Sequence, residues 1–342
     1  MNNKMFLRLA LSLLPCSISL AGLPSGNPDL WMTQKGAVLF SENFSNPAID
    51  TNHWTVAKGL WKVENGVLTG KELTADHHSA SIRANVPFTN AILQFDFKLD
   101  GSRGFFLSVN EAKGHHSRVG ITPDGITLNK DRDKKDERSL SLPLGRQNVT
   151  FKPGVWYTIV VEYCGNDLLA HINNETFVLG TQEQIGSPKT NFGFPVLGEF
   201  ASFANVTVWA ATPKADADDV KTKLLAQQAE RNDSPADPRA AYNEAETLLR
   251  DKLMKTDSTF DQMVNDRVAI DTEMTKRWPK AFQTTEAART LKKKLLTENE
   301  EFKALSTQSA KAHQAELNYL LKKSQKLAEL RKVMLKPQPA VK

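Results

Sequence analysis

The hydrophobic pattern of this chain changes period once, near residue 213. Before that point apolar and polar residues alternate in short runs. In "AILQFDFKLD", Leu93, Phe95, Phe97 and Leu99 fall on one face while Gln94, Asp96 and Lys98 fall on the other, which predicts a half-buried strand. "LWKVENGVLTG" places Asn65-Gly66 between apolar segments, the strongest short hairpin signal, because both turn residues must tolerate positive φ. Asp124-Gly125 in "VGITPDGITL" reads as a second such turn. "VWYTIVVEY", "DLLAHINNETFVL", "NFGFPVL" and "EFASFANVTVWAA" are further strands. Many strands at this spacing, with no helical run between them, predict an antiparallel sandwich or jelly roll over about 38–211.

After Pro213 the spacing becomes helical. Asp237-Pro238 reads as an N-cap followed by proline at the first helical position, and Tyr242, Ala245, Leu249 and Leu253 follow at helical intervals. Ser258 with Asp261 resembles a cap for a second helix, which Pro279 ends. Leu291, Leu295, Phe302 and Leu305 form one stripe, and His313, Leu317, Leu320, Leu327 and Met334 form another, shifted near 306–310. A long helix with a stutter predicts this shift, and a helical hairpin is the alternative. His313 is expected as a half-buried seam residue and Trp278 as a packing anchor. Glycine agrees with the division, since all 18 glycines lie at or before Gly198. The expected organisation is therefore a leader over 1–21, an all-β sandwich over 38–211, a linker with a short helix over 212–236, and an all-α, coiled-coil-like unit over 237–336. Through those helices the chain could meet a homo-oligomeric or envelope partner.

Composition adds limits. Lys4 and Arg8, an apolar run and Ser19-Leu20-Ala21 form a secretory leader pattern, too short to anchor in a bilayer. The expected location is secreted, periplasmic or at the envelope. Cys16 as a lipidated cysteine is a weaker alternative, because Pro15 precedes it. Without the leader only Cys164 remains, so no intramolecular disulfide can form and a packed core must hold the fold. Cys164, at the end of an apolar run, is expected to be buried and inert. The net charge of +5 arises wholly after residue 213 and is interspersed with acids, which is not the concentrated basic stripe of a nucleic-acid binder.

From "LFSENF" through "GLWKVENGVLTG", "AILQFDFKLDG" and "NFGF" to "ASFANVTVW", residues of about 38–210 resemble the 3-keto-disaccharide hydrolase domain. The resemblance implies a concanavalin-like jelly roll and activity on 3-keto (oxidised) glycosides, and it excludes the helical tail. Such domains are often grouped with family 16 glycoside hydrolases, whose Glu-x-Asp-x-x-Glu puts paired carboxylates on one face of a strand. This chain has no such motif. "DRDKKDE" at 131–137 has the wrong spacing and is expected to be a solvated loop.

A 3-keto sugar allows another route. The C3 ketone acidifies the C2 proton; a base near neutral pKa can remove it, the glycosidic oxygen leaves C1, and water addition completes net hydrolysis. That chemistry needs a base and a cation for the enolate, with no second carboxylate. The resemblance maps onto "AKGHHSR" and "ELTADHH", assigning His115 with Arg118 and Lys113, and His78 with Glu72. His115 or His78 would be the base and Arg118 would steady charge. If Val119 and Ile121 face the core, Arg118 faces away from it. Gln94, Asp96, Lys98, Ser108 and Asn110 would line a sugar groove beside them, and Glu72 or Asp96 would orient a histidine. His77 and His116 are read as incidental neighbours. No cofactor is implied, and no tight His/His/Glu spacing supports a metal. The competing class is a carbohydrate-binding module without catalysis. Such modules stack sugars on exposed aromatic rings, but Trp54, Trp61, Trp156 and Trp209 sit in apolar strand contexts.

Overall fold

The computed structural model describes residues 29–231, 233, 235 and 237–336, so the expected leader lies outside the described residues. Thirteen strands come first: β1 (Thr33–Glu42), β2 (Trp54–Lys58), β3 (Leu60–Glu64), β4 (Val67–Lys71), β5 (Ala80–Ala84), β6 (Ala91–Glu111) and β7 (Gly114–Thr122). They continue as β8 (Gly125–Lys130), β9 (Leu142–Asn148), β10 (Trp156–Cys164), β11 (Asp167–Ile172), β12 (Thr176–Thr181) and β13 (Asn191–Pro213). Helices follow as α1 (Ala217–Glu230), α2 (Pro238–Thr256), α3 (Ser258–Arg277), α4 (Glu286–Glu298), α5 (Glu300–Lys323) and α6 (Gln325–Met334).

The all-β jelly-roll class expected for the first part is what the chain adopts, and the helical class holds for the second. β6 and β13 are antiparallel partners along nearly their whole length, from Asn191↔Asn110 to Ala210↔Ala91. Both bend midway. Gly104 has φ +135° and its missing Cβ would lie 2.3 Å from the Ile121 carbonyl oxygen; Gly198 has φ +76°. Only glycine takes those angles without strain. The bend folds one continuous sheet into two layers. The first layer runs β12-β11-β10-β6-β13-β4-β3, with β1 also on β13, and the second runs β9-β8-β7-β6-β13-β5-β2. Between them lies a phenylalanine core: Phe194 stacks on Phe203 at 4.3 Å, and Phe105 meets Phe97 at 5.2 Å and Phe203 at 4.9 Å. These contacts join residues before the bend to residues after it.

Two turn readings differ in detail. Asn65 and Gly66 take φ +51° and +77°, as the Asn-Gly hairpin requires. At the second turn Thr122 pairs with Gly125, so the central residues are Pro123 and Asp124, not Asp124 and Gly125. The proline ring holds φ negative, which rules out the mirror-image turn there.

The outer face of the first layer is closed by the chain itself. Leu224 of α1 packs with Met32, Cys164, Leu169, Phe177 and Leu179, and Trp31 and Val220 flank them. In the segment read as a linker with a short helix over 212–236, residues 217–230 are this docked helix. Cys164 is buried, and burial raises its thiol pKa to about 11. The Glu162 carboxylate, fully buried, accepts from Trp31 N (2.8 Å), Met32 N (3.0 Å), Thr33 N (2.7 Å) and Thr33 Oγ1 (2.6 Å). Burial alone would raise its pKa; the surrounding donors more than offset that and hold it below the usual carboxylate value. His171 Nε2 stands 3.6 Å away, and its ring stacks on Trp31 at 4.5 Å.

In the helical part the long helix is corrected to three. Asn299 caps α5 and Ser324 caps α6 through side-chain bonds to Phe302 N and Leu327 N, so short polar residues interrupt the run, while the shifted stretch at 306–310 stays inside α5. Asp257 caps α3, one residue before the expected Ser258. Phe260, Val264, Tyr242, Leu253, Leu320 and Leu327 form the core of this part. Glu316, fully buried, bridges Arg250 and Arg267, with Arg267 Nε at 2.6 Å. His313 is exposed instead of half-buried, while Trp278 packs edge-on against Phe302. Polar contacts join the helices to the sandwich: Arg146–Glu244 at 3.6 Å, Arg138–Asp261, and Thr272 Oγ1 donating to Glu137 at 2.5 Å.

We propose that α1 stabilises the sandwich by covering the outer face of its first layer. A fragment of residues 29–231 should be soluble and melt cooperatively. One of residues 29–213 loses Leu224 and Val220 from over Met32, Leu169 and Phe177, and should melt several degrees lower or aggregate. Burying a leucine contributes about 1.5–3 kcal/mol. Equal melting temperatures by differential scanning calorimetry would show that α1 adds nothing.

Candidate functional site

The outer face of the second layer is where the polar alternation of the sequence ends up. On β5, Ala80, Ile82 and Ala84 are buried in the core while Arg83 is exposed between them. On β6, Phe105, Leu107 and Val109 fill the core, so Phe106, Ser108 and Asn110 face outward; on β7, Val119 and Ile121 point in and Arg118 out. Across the strands Arg83 pairs with Gly193, Gly193 with Ser108, and Ser108 with Arg118, forming one row. At Gly193 a Cβ would sit 2.3 Å from the Ile82 carbonyl oxygen and 2.9 Å from Arg83 Cγ, so the absence of a side chain there keeps the floor open. The result is a cavity of about 160 Å³ lined by His78, Arg83, Phe106, Asn110, His115 and Arg118, with Ser79, Ser81, Ser108, Gly193 and Pro195 completing it.

The expected convergence of His78, His115 and Arg118 is therefore present, with Asn110 beside them. The groups that orient them differ from those expected. Asn191 Nδ2 donates to Thr190 Oγ1 (3.1 Å) and Asn110 Nδ2 donates to Asn191 Oδ1 (2.6 Å). This leaves Asn110 Oδ1 to accept from His115 Nδ1 at 2.7 Å. The proton of neutral His115 thus sits on Nδ1, and Nε2 keeps its lone pair. His78 Nδ1 lies 2.8 Å from the Ser79 carbonyl oxygen, which can only accept, so His78 Nε2 is likewise free. Arg118 Nε meets Asp131 Oδ2 at 2.9 Å, and its guanidinium lies 5.8 Å from the Phe106 ring centre.

Asp131 corrects the solvated-loop reading of "DRDKKDE". Its carboxylate is buried and its backbone N–H donates to the His116 carbonyl oxygen at 2.8 Å. Burial raises the Asp131 pKa, against the lowering effect of Arg118. Burial also lowers the pKa of half-buried His115; Arg118 adds to this, Asp131 opposes it, and Lys134 and Arg83 add a little more. At neutral pH His115 is a neutral imidazole.

Five of the expected binding residues lie elsewhere, Lys98 among them in an ion pair with Asp100 at 3.2 Å. Gln94 and Asp96 are on the same strand as Ser108 and Asn110, but β6 crosses from one layer to the other at its bend, so the two pairs emerge on opposite faces of the sandwich. Asp96 is buried there, accepting from Thr158 Oγ1 (2.6 Å) and Asn205 Nδ2 (2.7 Å). Glu72 pairs with Arg103 at the bend, 3.2 Å apart. Lys113 reaches Asp133 at 3.9 Å, beside a separate cavity. His116, read as an incidental neighbour of the site, is buried, bonded to Ser117 Oγ (2.8 Å) and the Gln184 carbonyl oxygen (2.9 Å), and burial and Lys189 lower its pKa to about 4. Trp54 and Trp61 are core residues, and Trp156 and Trp209 lie half-buried on the first layer. Sequence reasoning missed Arg83, Asn191 and Asp131. For Arg83 the alternation in "ASIRA" was an available signal, and for Asp131 the β7–β8 hairpin register, which runs Ser117↔Lys130, was another; for Asn191, whose partner Asn110 is remote in sequence, none existed.

The His115 environment makes a measurable difference. By NMR titration its imidazole should titrate below the ordinary histidine value. In Arg118→Met, which removes a cation and frees Asp131, it should titrate at higher pH than in wild type. An unchanged or lowered midpoint would show that Arg118 does not act on His115.

The family model of the 3-keto-alpha-glucoside-1,2-lyase-like domain matches residues 41–208. Among solved structures, the carbohydrate binding module CBM66 from Bacillus subtilis is similar at 15% identity and a TM-score of 0.39, over 46% of this chain and 96% of that one. Porphyranase B from Zobellia galactanivorans is similar at 10% identity and a TM-score of 0.40, over 50% and 90%. A protein of unknown function with a galectin-like fold from Bacillus subtilis is similar at 12% identity and a TM-score of 0.42, over 54% and 100%. No curated protein matches the chain. With the jelly-roll topology and the family match together, residues 41–208 are a member of the 3-keto-alpha-glucoside-1,2-lyase-like domain family, a family of carbohydrate-active domains.

Proposed function

We propose that the cavity on the second layer cleaves the glycosidic bond of a 3-keto glycoside by elimination, with His115 as the base. The observation that carries this reading is the hydrogen-bond chain Thr190–Asn191–Asn110–His115, which engages Nδ1 and leaves Nε2 unprotonated on a side chain that lines the cavity. His115 Nε2 takes the proton from C2, and the C2–H electrons form an enolate across C2 and C3. The negative charge gathers on the C3 oxygen, where the Arg118 guanidinium can donate hydrogen bonds. The enolate then collapses: the C3 carbonyl re-forms, a C1–C2 double bond forms, and the bond from C1 to the glycosidic oxygen breaks. His78, when protonated, supplies the proton that the leaving oxygen needs. The products are an unsaturated keto sugar and an alcohol, and water addition to the former gives net hydrolysis. At about 160 Å³ the cavity is smaller than the roughly 300–1,000 Å³ of clefts that enclose drug-sized ligands, which fits one sugar ring and not an extended chain. Export of the protein belongs to the proposal and rests on the leader-like pattern of residues 1–21.

A second reading, a binding module without turnover, is favoured by one observation: among the described residues no carboxylate lines the cavity, which leaves no carboxylate pair to cleave ordinary glycosides there. The two readings separate on a 3-keto glucoside. Wild-type protein should release the alcohol, and His115→Ala should lower kcat/KM by about 10²–10⁴ while circular dichroism stays unchanged. Because burial, with Arg118 adding to it, lowers the His115 pKa, activity should hold as pH falls through neutrality and decline only below the usual histidine value. Binding of the keto sugar with no release of alcohol would leave the binding module standing.

A further inference from the structure

The row Arg83–Gly193–Ser108–Arg118 puts a guanidinium at each end and small residues between. The two ends are three strand spacings apart, roughly 14 Å along the sheet. Their side chains are held differently. Arg118 is paired with the buried carboxylate of Asp131, so its charge is balanced. Arg83 is exposed at the cavity wall and, among the described residues, has no ion-pair or hydrogen-bond partner. Among the described residues no acidic one lines the cavity, and Lys134 and Arg83 both act on His115 as positive charges. His115 is neutral, so the cavity carries an uncompensated positive charge on the side away from Asp131.

We propose that Arg83 forms an oxoanion subsite, so that this cavity selects sugars bearing a carboxylate, sulfate or phosphate group. The assignment deepens the reading of the cavity as a glycoside site and rests on it for the sugar. Its chemistry follows from what arginine can do. A guanidinium only donates, whereas each hydroxyl of a neutral sugar needs an acceptor as well as a donor. Asn110 Oδ1 already accepts from His115, and the other side-chain acceptors among the lining residues are serine hydroxyls and histidine nitrogens. An oxoanion instead supplies acceptors alone and matches the planar fork of Arg83 with two parallel bonds. A ring seated over Ser108, with its reacting edge toward His115 and Arg118, turns its opposite edge toward β5 and Arg83. Gly193 maintains this geometry, since any side chain there would strike the Arg83 stem.

Isothermal titration of the full chain tests the subsite without requiring turnover. The probes are methyl glucoside, methyl glucuronide, glucose 6-phosphate and glucose 6-sulfate at low ionic strength. The three acidic sugars should bind roughly tenfold or more tightly than methyl glucoside, as charge-assisted hydrogen bonds imply, and added salt should narrow the gap. The order among the three identifies the anion. Arg83→Met should erase the gap while leaving methyl glucoside affinity unchanged, and Arg83→Lys should restore part of it. Equal wild-type affinity for all four sugars, absence of binding by all four, or a uniform loss in Arg83→Met would overturn the proposal. Failure of the elimination chemistry would appear separately, as no alcohol release from any 3-keto glycoside while the preference for acidic sugars persists.

Discussion

Everything in this molecule hangs on the pairing of β6 with β13. Two strands of about twenty residues stay paired through a bend, where bulges shift their register, and so belong to both layers at once. Glycines at the bend accept the backbone angles that fold the sheet over, and the inward phenylalanines on either side of it then meet. Because these strands are central in both layers, the other strands add outward from a common spine. The site inherits its precision from that spine: Ser108, Asn110, Asn191 and Gly193 all lie on it, and Arg83 and Arg118 sit on its immediate neighbours. Side chains fixed by strand register on both flanks need little further support to hold their spacing.

The two outer faces have different fates. The first layer is covered by α1 and by residues 31–33, which the buried Glu162 carboxylate holds through four hydrogen bonds. Leaving such a carboxylate without its donors is costly, so the start of the described chain and the sheet are bound together. The second layer keeps its polar residues in reach of solvent, and it is there that the histidines and arginines collect. One face has become a binding surface for the protein's own chain, and the other remains available to a ligand.

The loop from Asp131 to Arg138 links parts that are otherwise separate. At its start Asp131 holds Arg118 in the cavity, and at its end Glu137 and Arg138 contact Thr272 and Asp261 of α3. Eight residues thus span from the site to the helical part. Within that part Glu316 plays a role similar to that of Glu162, as a buried carboxylate whose two arginine partners come from α2 and α3. Both carboxylates tie together segments far apart in sequence.

Much of this was legible without coordinates. Alternation identified the strands and which residues face outward, helical spacing and the loss of glycine marked where the architecture changes, and the paired motifs around His78 and His115 named three residues that meet in one cavity. These features are local: side-chain direction in a strand and cap chemistry in a helix depend on neighbours a few residues away. What the sequence could not reveal is non-local. Gln94 and Asp96 share a strand and an outward phase with Ser108 and Asn110, yet the bend sends them to the opposite side of the molecule. Asp131 looks like one charge among many until the fold buries it against Arg118. Asn191, some eighty residues from Asn110, decides which nitrogen of His115 carries the proton. The residues themselves determined the layers and their polarity; only the closing of the sheet upon itself determined which polar residues share a cavity, because that depends on where the chain turns and not on its period.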